Sequence, residues 1–99
     1  MNFRDQCYEL LLKVPKGKVT TYKAIAHALG SKAYRAVGTA MAKNPNPINV
    51  PCHRVVKSNA EIGNYAFGIE RKTALLQQEG IVIKNGKVAN FADVFYDFL

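Results

Sequence analysis

The chain has no tryptophan and only two cysteines, two histidines and four prolines in 99 residues. Each shortage excludes something. Two cysteines do not make a disulfide scaffold, and without a signal-peptide-like start they fit a reducing, intracellular setting. His27 and His53 stand apart from other metal-binding residue types, so neither a zinc site nor any other metal is expected. No apolar run approaches the ~18 residues of a membrane span. Acidic residues are scarce where basic ones gather: residues 1–58 carry ten Lys/Arg against two Asp/Glu, residues 59–99 four against five. A basic half predicts a polyanion as partner. The hydrophobic share of 48% excludes a disordered chain, and the length predicts one domain over 1–99, near the lower limit for a single core.

Helical periodicity organises the first half. Phe3, Cys7, Leu10, Leu11 and Val14 form one stripe, with Asn2 as N-cap and Asp5 in the first turn, so Cys7 is expected in the core. That helix should stop at Pro15-Lys16-Gly17-Lys18, and Val19-Thr20 should be a brief extended piece. Thr21 is placed to cap a second helix to Leu29, closed by Gly30, with Tyr22, Ile25, Ala26 and Leu29 inward. On spacing alone Tyr22 is a core tyrosine with its hydroxyl at the rim. Ser31 is placed to cap a third helix from Lys32 to Lys43, ended by Asn44-Pro45-Asn46-Pro47. Its inward side is Ala33, Val37, Ala40 and Met41; Arg35, Gly38, Thr39 and Ala42 share the other, a face of small residues that lets a backbone approach a groove. Lys32 and Arg35 in or near the first turn oppose the helix dipole, which suggests an external partner. Two short helices joined through a glycine in a basic half read as a helix-turn-helix.

In the second half, Ile62 to Gly68 reads as a bent, glycine-containing segment. A fourth helix should run from Ile69 to Gln78 or Glu79, burying Ile69, Leu75 and Leu76, with Gly80 beyond its end. Glu79 sits at the wrong end of that helix for its charge and calls for a cation or histidine. Asn85-Gly86 between Ile81–Lys84 and Lys87–Ala89 predicts a two-residue hairpin. For Phe91–Leu99 helix and strand fit equally well. The fold class is therefore α+β and mostly helical, a winged-helix-like domain with a helix-turn-helix and a short β-hairpin.

The chemistry concentrates at Pro51-Cys52-His53-Arg54-Val55. A thiolate is the nucleophilic form of cysteine, and a neighbouring base or cation is needed to lower its pKa from about 8.5. His53 and Arg54 are the residues at hand. In a plain strand His53 would face away from Cys52, but Pro51 favours a turn that brings both into one site. The competing reading is a cysteine buried in a core strand.

This stretch, in order with Thr21-Tyr22, Tyr34 to Gly38, Met41 to Pro45, Gly63-Asn64-Tyr65 and a helix closing in Glu79-Gly80, resembles the O6-alkylguanine-DNA alkyltransferases, over residues 3 to about 80. The resemblance is to their C-terminal, active-site domain, without the N-terminal domain that family members usually carry. It implies an enzyme without cofactor, a single-turnover methylated-DNA–cysteine methyltransferase in which Cys52 accepts the alkyl group of O6-alkylguanine in duplex DNA. His53 would take the thiol proton through a water, Glu79 would orient His53, Arg54 would be structural, and Asn44 would brace the turn before the active site. Arg35 would fill the stack vacated by the flipped base, with Gly38, Thr39, Ala42 and Lys32 against the DNA. Tyr22 would line the pocket, contact a phosphate and donate to the departing guanine; Met41, Val55, Tyr65, Ala66 and Phe67 would complete the pocket. Ala66 and Phe67 replace Ser and Gly of some relatives, which should remove a donor and narrow the pocket in favour of methyl groups. A monomer in the cytoplasm, or the nucleus of a eukaryote, is expected.

Two other classes compete. Alkyltransferase-like proteins bind such lesions without chemistry and recruit excision-repair proteins, but they replace the acceptor cysteine, which is retained here as Cys52. A winged-helix regulator would leave Cys52, His53 and Glu79 without a purpose.

Overall fold

Residues 2–47 and 49–98 are described in a computed structural model. The elements run α1 (Phe3–Leu11), β1 (Thr20–Thr21), α2 (Tyr22–Ala28), α3 (Tyr34–Ala42), a single 3₁₀ turn (Cys52–Arg54), β2 (Val55–Val56), α4 (Ile69–Gln78), β3 (Ile83–Lys84), β4 (Lys87–Val88) and α5 (Phe91–Val94). The expected α+β class, helix-turn-helix and hairpin are all present.

Local chemistry explains most boundaries. Asn2 Oδ1 accepts from the Asp5 amide at 2.8 Å and opens α1; Thr21 Oγ1 accepts from the Ala24 amide at 2.9 Å and opens α2. Gly30 closes α2 at φ +68° and Gly80 follows α4 at φ +90°, a region that glycine enters without steric cost. At the hairpin tip Asn85 and Gly86 both take positive φ, as a type I′ turn requires.

The third helix differs from expectation. It begins at Tyr34, because Ser31 Oγ accepts from the Ala33 amide at 3.0 Å and holds residues 31–33 in a local turn. Lys32 thus precedes the helix, and Ala33 is exposed while Val37, Ala40 and Met41 are buried. Ile69, expected in the core, is 52% exposed at the start of α4, and fully buried Lys72 accompanies Leu76 instead. α1 ends at Leu11, short of Pro15.

Two buried clusters are joined by a ribbon. Cys7, Leu11, Val14, Ile25, Ala26, Val37, Ala40, Met41, Cys52 and Val55 form the first; Val19, Val56, Ile62, Leu76, Ile81 and Val88 form the second. β1 and β2 pair in parallel, Thr20 with Val55 and Thr21 with Val56. Because side chains alternate along a strand, Val55 enters one cluster and Val56 the other. The aromatic tail combines both expected forms: after α5, the Val19 amide donates to Val94 O at 2.9 Å and the Tyr96 amide to Val19 O at 2.7 Å. Leu99 lies outside the described residues.

Candidate active site and nucleic-acid interface

Pro51 leads into the 3₁₀ turn Cys52–Arg54, which buries both Cys52 and His53 just before β2. The turn is fixed from both sides. Asn44 Nδ2 donates to Val50 O at 2.8 Å while its Oδ1 accepts from the Asn46 amide at 2.9 Å, and the Cys52 amide donates to Val50 O at 2.7 Å.

A charged assembly also adjoins the turn. Arg54 donates to Glu79 through Nε at 2.9 Å to Oε1 and through NH2 at 2.7 Å to Oε2, and its NH1 donates to Val14 O at 2.8 Å. The same Oε2 lies 3.1 Å from His53 Nε2. A carboxylate only accepts, so Nε2 carries the hydrogen and Nδ1 is left as the unprotonated nitrogen. Nδ1 is buried and has no hydrogen-bonding partner among the described residues. Burial pushes the His53 pKa down, against the hydrogen bond and charge of Glu79, which favours the neutral ring with Nδ1 as its open nitrogen. Burial acts to raise the Glu79 pKa, but the hydrogen bonds from Arg54 and His53 and the charge of Arg54 outweigh it and hold the carboxyl below its usual range.

The Cys52 thiol is not acidified outright. Burial pushes it up, and the Asn44 hydrogen bond, the positive charge of Lys72 and a backbone hydrogen bond oppose this only in part. This differs from the expectation that His53 and Arg54 would lower it directly: Arg54 is spent on Glu79. The free protein therefore holds a thiol, with a neutral base close by in sequence.

Lys72 is the residue that sequence reasoning missed. It is fully buried in α4, donating to Val55 O at 2.6 Å and to Asn64 O at 3.1 Å, with Nζ 6.0 Å from the centroid of the Tyr22 ring. Desolvation pulls its pKa down to about 8, against the thiolate charge of Cys52. The signal was in the spacing, since position 72 shares the stripe of Leu76 one turn on.

A cleft of about 1000 Å³ opens over Cys52. Its lining combines the outer face of α3, namely Arg35, Gly38, Thr39 and Ala42, with Tyr22, Met41, Tyr65 and Ala66. Tyr34, Lys57 and Asn64 also line it and were not anticipated in this role. Gly63, at φ +78°, lets the chain pass close to Tyr22: an added Cβ would stand 3.4 Å from the Tyr22 hydroxyl. His53, Glu79 and Asn44 do not line the cleft and act on the turn instead. Two expected pocket residues fall outside it as side chains. Val55 is buried in the core with its carbonyl engaged by Lys72. Phe67 is 59% exposed, because the turn from the Gly68 amide to Tyr65 O carries it outward, edge-on to Tyr65 at 5.7 Å. Phe67 therefore does not narrow the cleft. Lys32 is exposed and likewise outside the lining. Among the described residues no group of three or more His, Cys, Asp or Glu is arranged to hold a metal, and no helix is long and apolar enough to cross a membrane.

Comparison with known proteins gives a consistent set of likenesses. The domain family described as 6-O-methylguanine DNA methyltransferase, DNA binding domain, matches residues 2–81. A methylated-DNA–protein-cysteine methyltransferase of Saccharolobus islandicus is 48% identical over 81 residues, 82% of this chain and 52% of that protein. The crystal structure of O6-methylguanine-DNA methyltransferase from Pyrococcus kodakaraensis superposes with TM-score 0.75 at 49% identity, covering 82% of this chain and 47% of that one. S. pombe Atl1, in complex with damaged DNA containing O6-carboxymethylguanine, gives TM-score 0.84 at 29% identity, covering 96% and 94%. The chain thus spans about half the length of the curated relatives it matches.

Proposed function

Because the chain belongs to the O6-methylguanine DNA methyltransferase family, through that family's DNA-binding domain, we propose that it repairs alkylated DNA by direct reversal, moving the alkyl group of O6-alkylguanine onto Cys52. On this reading the chain corresponds to the family's active-site half, and residues 1–99 act as one unit. The observation that carries it is the junction at Cys52: the thiol lines a cleft continuous with the small-residue face of α3, and the next residue, His53, is buried and bonded to Glu79.

The reaction follows from these parts. Duplex DNA lies against Gly38, Thr39 and Ala42, which admit close backbone approach, and the basic half supplies phosphate contacts. The target cannot be reached inside the stack, so it is flipped out at a cost of a few kcal/mol, and Arg35 fills the gap. His53 Nδ1 receives the Cys52 proton through a bridging water, while Glu79 supports the imidazolium that develops. Sγ bonds the alkyl carbon as the C–O6 bond breaks; the electron pair stays on O6, and the departing guanine takes a proton, with Tyr22 as its donor. The thioether is not reversed by cellular thiols, so each molecule acts once, without cofactor.

A second reading, lesion binding without chemistry and with recruitment of excision-repair proteins, is favoured by the near-complete coverage of Atl1. Cys52 weighs against it. Incubating excess protein with a duplex carrying one O6-methylguanine separates the two: restoration of guanine, one per protein molecule, supports transfer, whereas tight binding with the lesion intact supports the second reading.

A further inference from the structure

Tyr34 is a large aromatic residue that the core does not use. It is 39% exposed and belongs to neither buried cluster. The other large hydrophobic residues exposed to this degree, Leu12, Phe67, Ile69 and Val82, stand away from the cleft over Cys52, whereas Tyr34 lines it. Its hydroxyl lies 3.0 Å from Nε2 of His27, an exposed residue in the last turn of α2, and the two rings meet at 59° with centroids 5.8 Å apart. The contact ties the end of α2 to the first residue of α3 and holds the ring at the cleft wall, one residue before Arg35. A hydrogen bond in the open exchanges with water and adds little stability, so folding does not account for the pair. Among the described residues the cleft lining carries Lys23, Arg35 and Lys57 and no carboxylate, the charge pattern that draws in a nucleic-acid backbone.

On the reading that this cleft receives a nucleotide flipped from duplex DNA, we propose that the Tyr34 ring is a stacking surface for a nucleobase left exposed at the opened site, with His27 as its positioning residue. Flipping removes one base from the stack and leaves its neighbours and its former partner with uncovered faces. Arg35 fills the gap with a planar cation, and Tyr34 offers a second flat surface from the same helix start. Every base has a π-face, so the contact tolerates any sequence around the lesion. His27 holds the hydroxyl end of the side chain, so the ring loses less rotamer freedom when the base arrives. The ring contributes no charge, which separates its effect from that of Lys23, Arg35 and Lys57.

Equilibrium binding tests this, with a duplex carrying one O6-methylguanine and the same duplex undamaged, in the full chain with Cys52→Ala so that no transfer intervenes. Tyr34→Ala is expected to weaken lesion binding roughly ten- to a hundredfold while changing binding to the undamaged duplex by less than about twofold. The salt slope should stay the same, because no phosphate contact is lost. Tyr34→Phe keeps the ring without the tether, and His27→Ala removes the tether from the other side. Each should lose roughly three- to tenfold on the lesion duplex, and the two together no more than either alone. The urea midpoint of Tyr34→Phe should equal that of its parent. Undiminished lesion binding by Tyr34→Ala overturns the proposal, as does an equal loss on both duplexes or a shallower salt slope, which would make Tyr34 a backbone contact. A lower midpoint for Tyr34→Phe makes the pair a structural tie and overturns it too, and additive losses remove His27 from its positioning role. A parent with no preference for the lesion duplex defeats the underlying reading, and the stacking role with it.

Discussion

Glu79 and His53, 26 residues apart in the chain, meet at 3.1 Å through Oε2 and Nε2, and this contact fixes which imidazole nitrogen is free to act as a base. Glu79→Gln keeps the shape but removes the charge that favours the imidazolium. The pH profile of single-turnover transfer is expected to move to higher pH, with lesion binding retained. Loss of the charge-assisted bonds to Arg54 should also cost about 2–3 kcal/mol of stability. The sign follows from the depressed Glu79 pKa: its contribution is present above the unfolded carboxylate pKa and is lost as pH falls through the folded one. Urea denaturation down to about pH 3 should therefore show wild type converging on the variant. Superimposable transfer profiles would reduce Glu79 to a helix-end ion pair.

Lys72 makes a prediction of the opposite pH range. Its folded pKa of about 8 lies below the unfolded lysine value, so the unfolded chain binds more protons between the two. Stability due to Lys72 thus rises with pH from about 8 towards about 10.4. Comparison of wild type with Lys72→Met, which cancels the other titrations, should shift in favour of wild type across that window by up to one proton per molecule. A constant difference would mean that Lys72 is not desolvated.

Asn44→Ala removes both ties that shape the loop before Cys52. It should cost about 1–3 kcal/mol, the range for leaving a buried polar group unpartnered, and raise the Cys52 thiol further by losing the Asn44 hydrogen bond. Thermal unfolding and the iodoacetamide profile check these separately.

Duplex binding should weaken with salt, with a log-log slope of about −0.9 per phosphate contact. Arg35→Ala should lose more than that electrostatic share. Because an intercalated side chain supports the flipped state, repair in duplex DNA should fall by roughly tenfold or more while reaction with free O6-alkylguanine base changes little. Equal losses on both substrates would remove Arg35 from that role.

The parts legible in the sequence were those written in local chemistry. Asn2, Thr21, Gly30 and Asn85-Gly86 announce their caps and turns because each acts on its immediate neighbours. Cys7 and Val37 were legible through helical spacing, and Glu79 through its conflict with the helix dipole, although its bidentate hold on Arg54 depends on tertiary packing that no local pattern encodes. Ser31 misled: its side chain caps a turn before the helix, a competition between two local bonds of similar strength. Lys72 was hidden by the expectation that charge stays in water, and only the bent segment at Gly63-Asn64 and the β2 carbonyl together supply its partners. Phe67 was misplaced because the turn closing at Gly68 decides which side of the chain it takes.

On the proposed reading Cys52, and not Cys7, receives the alkyl group. Both thiols are buried, but Cys7 lies wholly within the core whereas Cys52 lines the cleft. Peptide mass mapping after incubation with an O6-methylguanine duplex tests this directly. One added methyl group is expected on the peptide containing Cys52, none on that containing Cys7, and no transfer by Cys52→Ala despite retained lesion binding. A methyl group on Cys7, or lesion removal by Cys52→Ala, would contradict it.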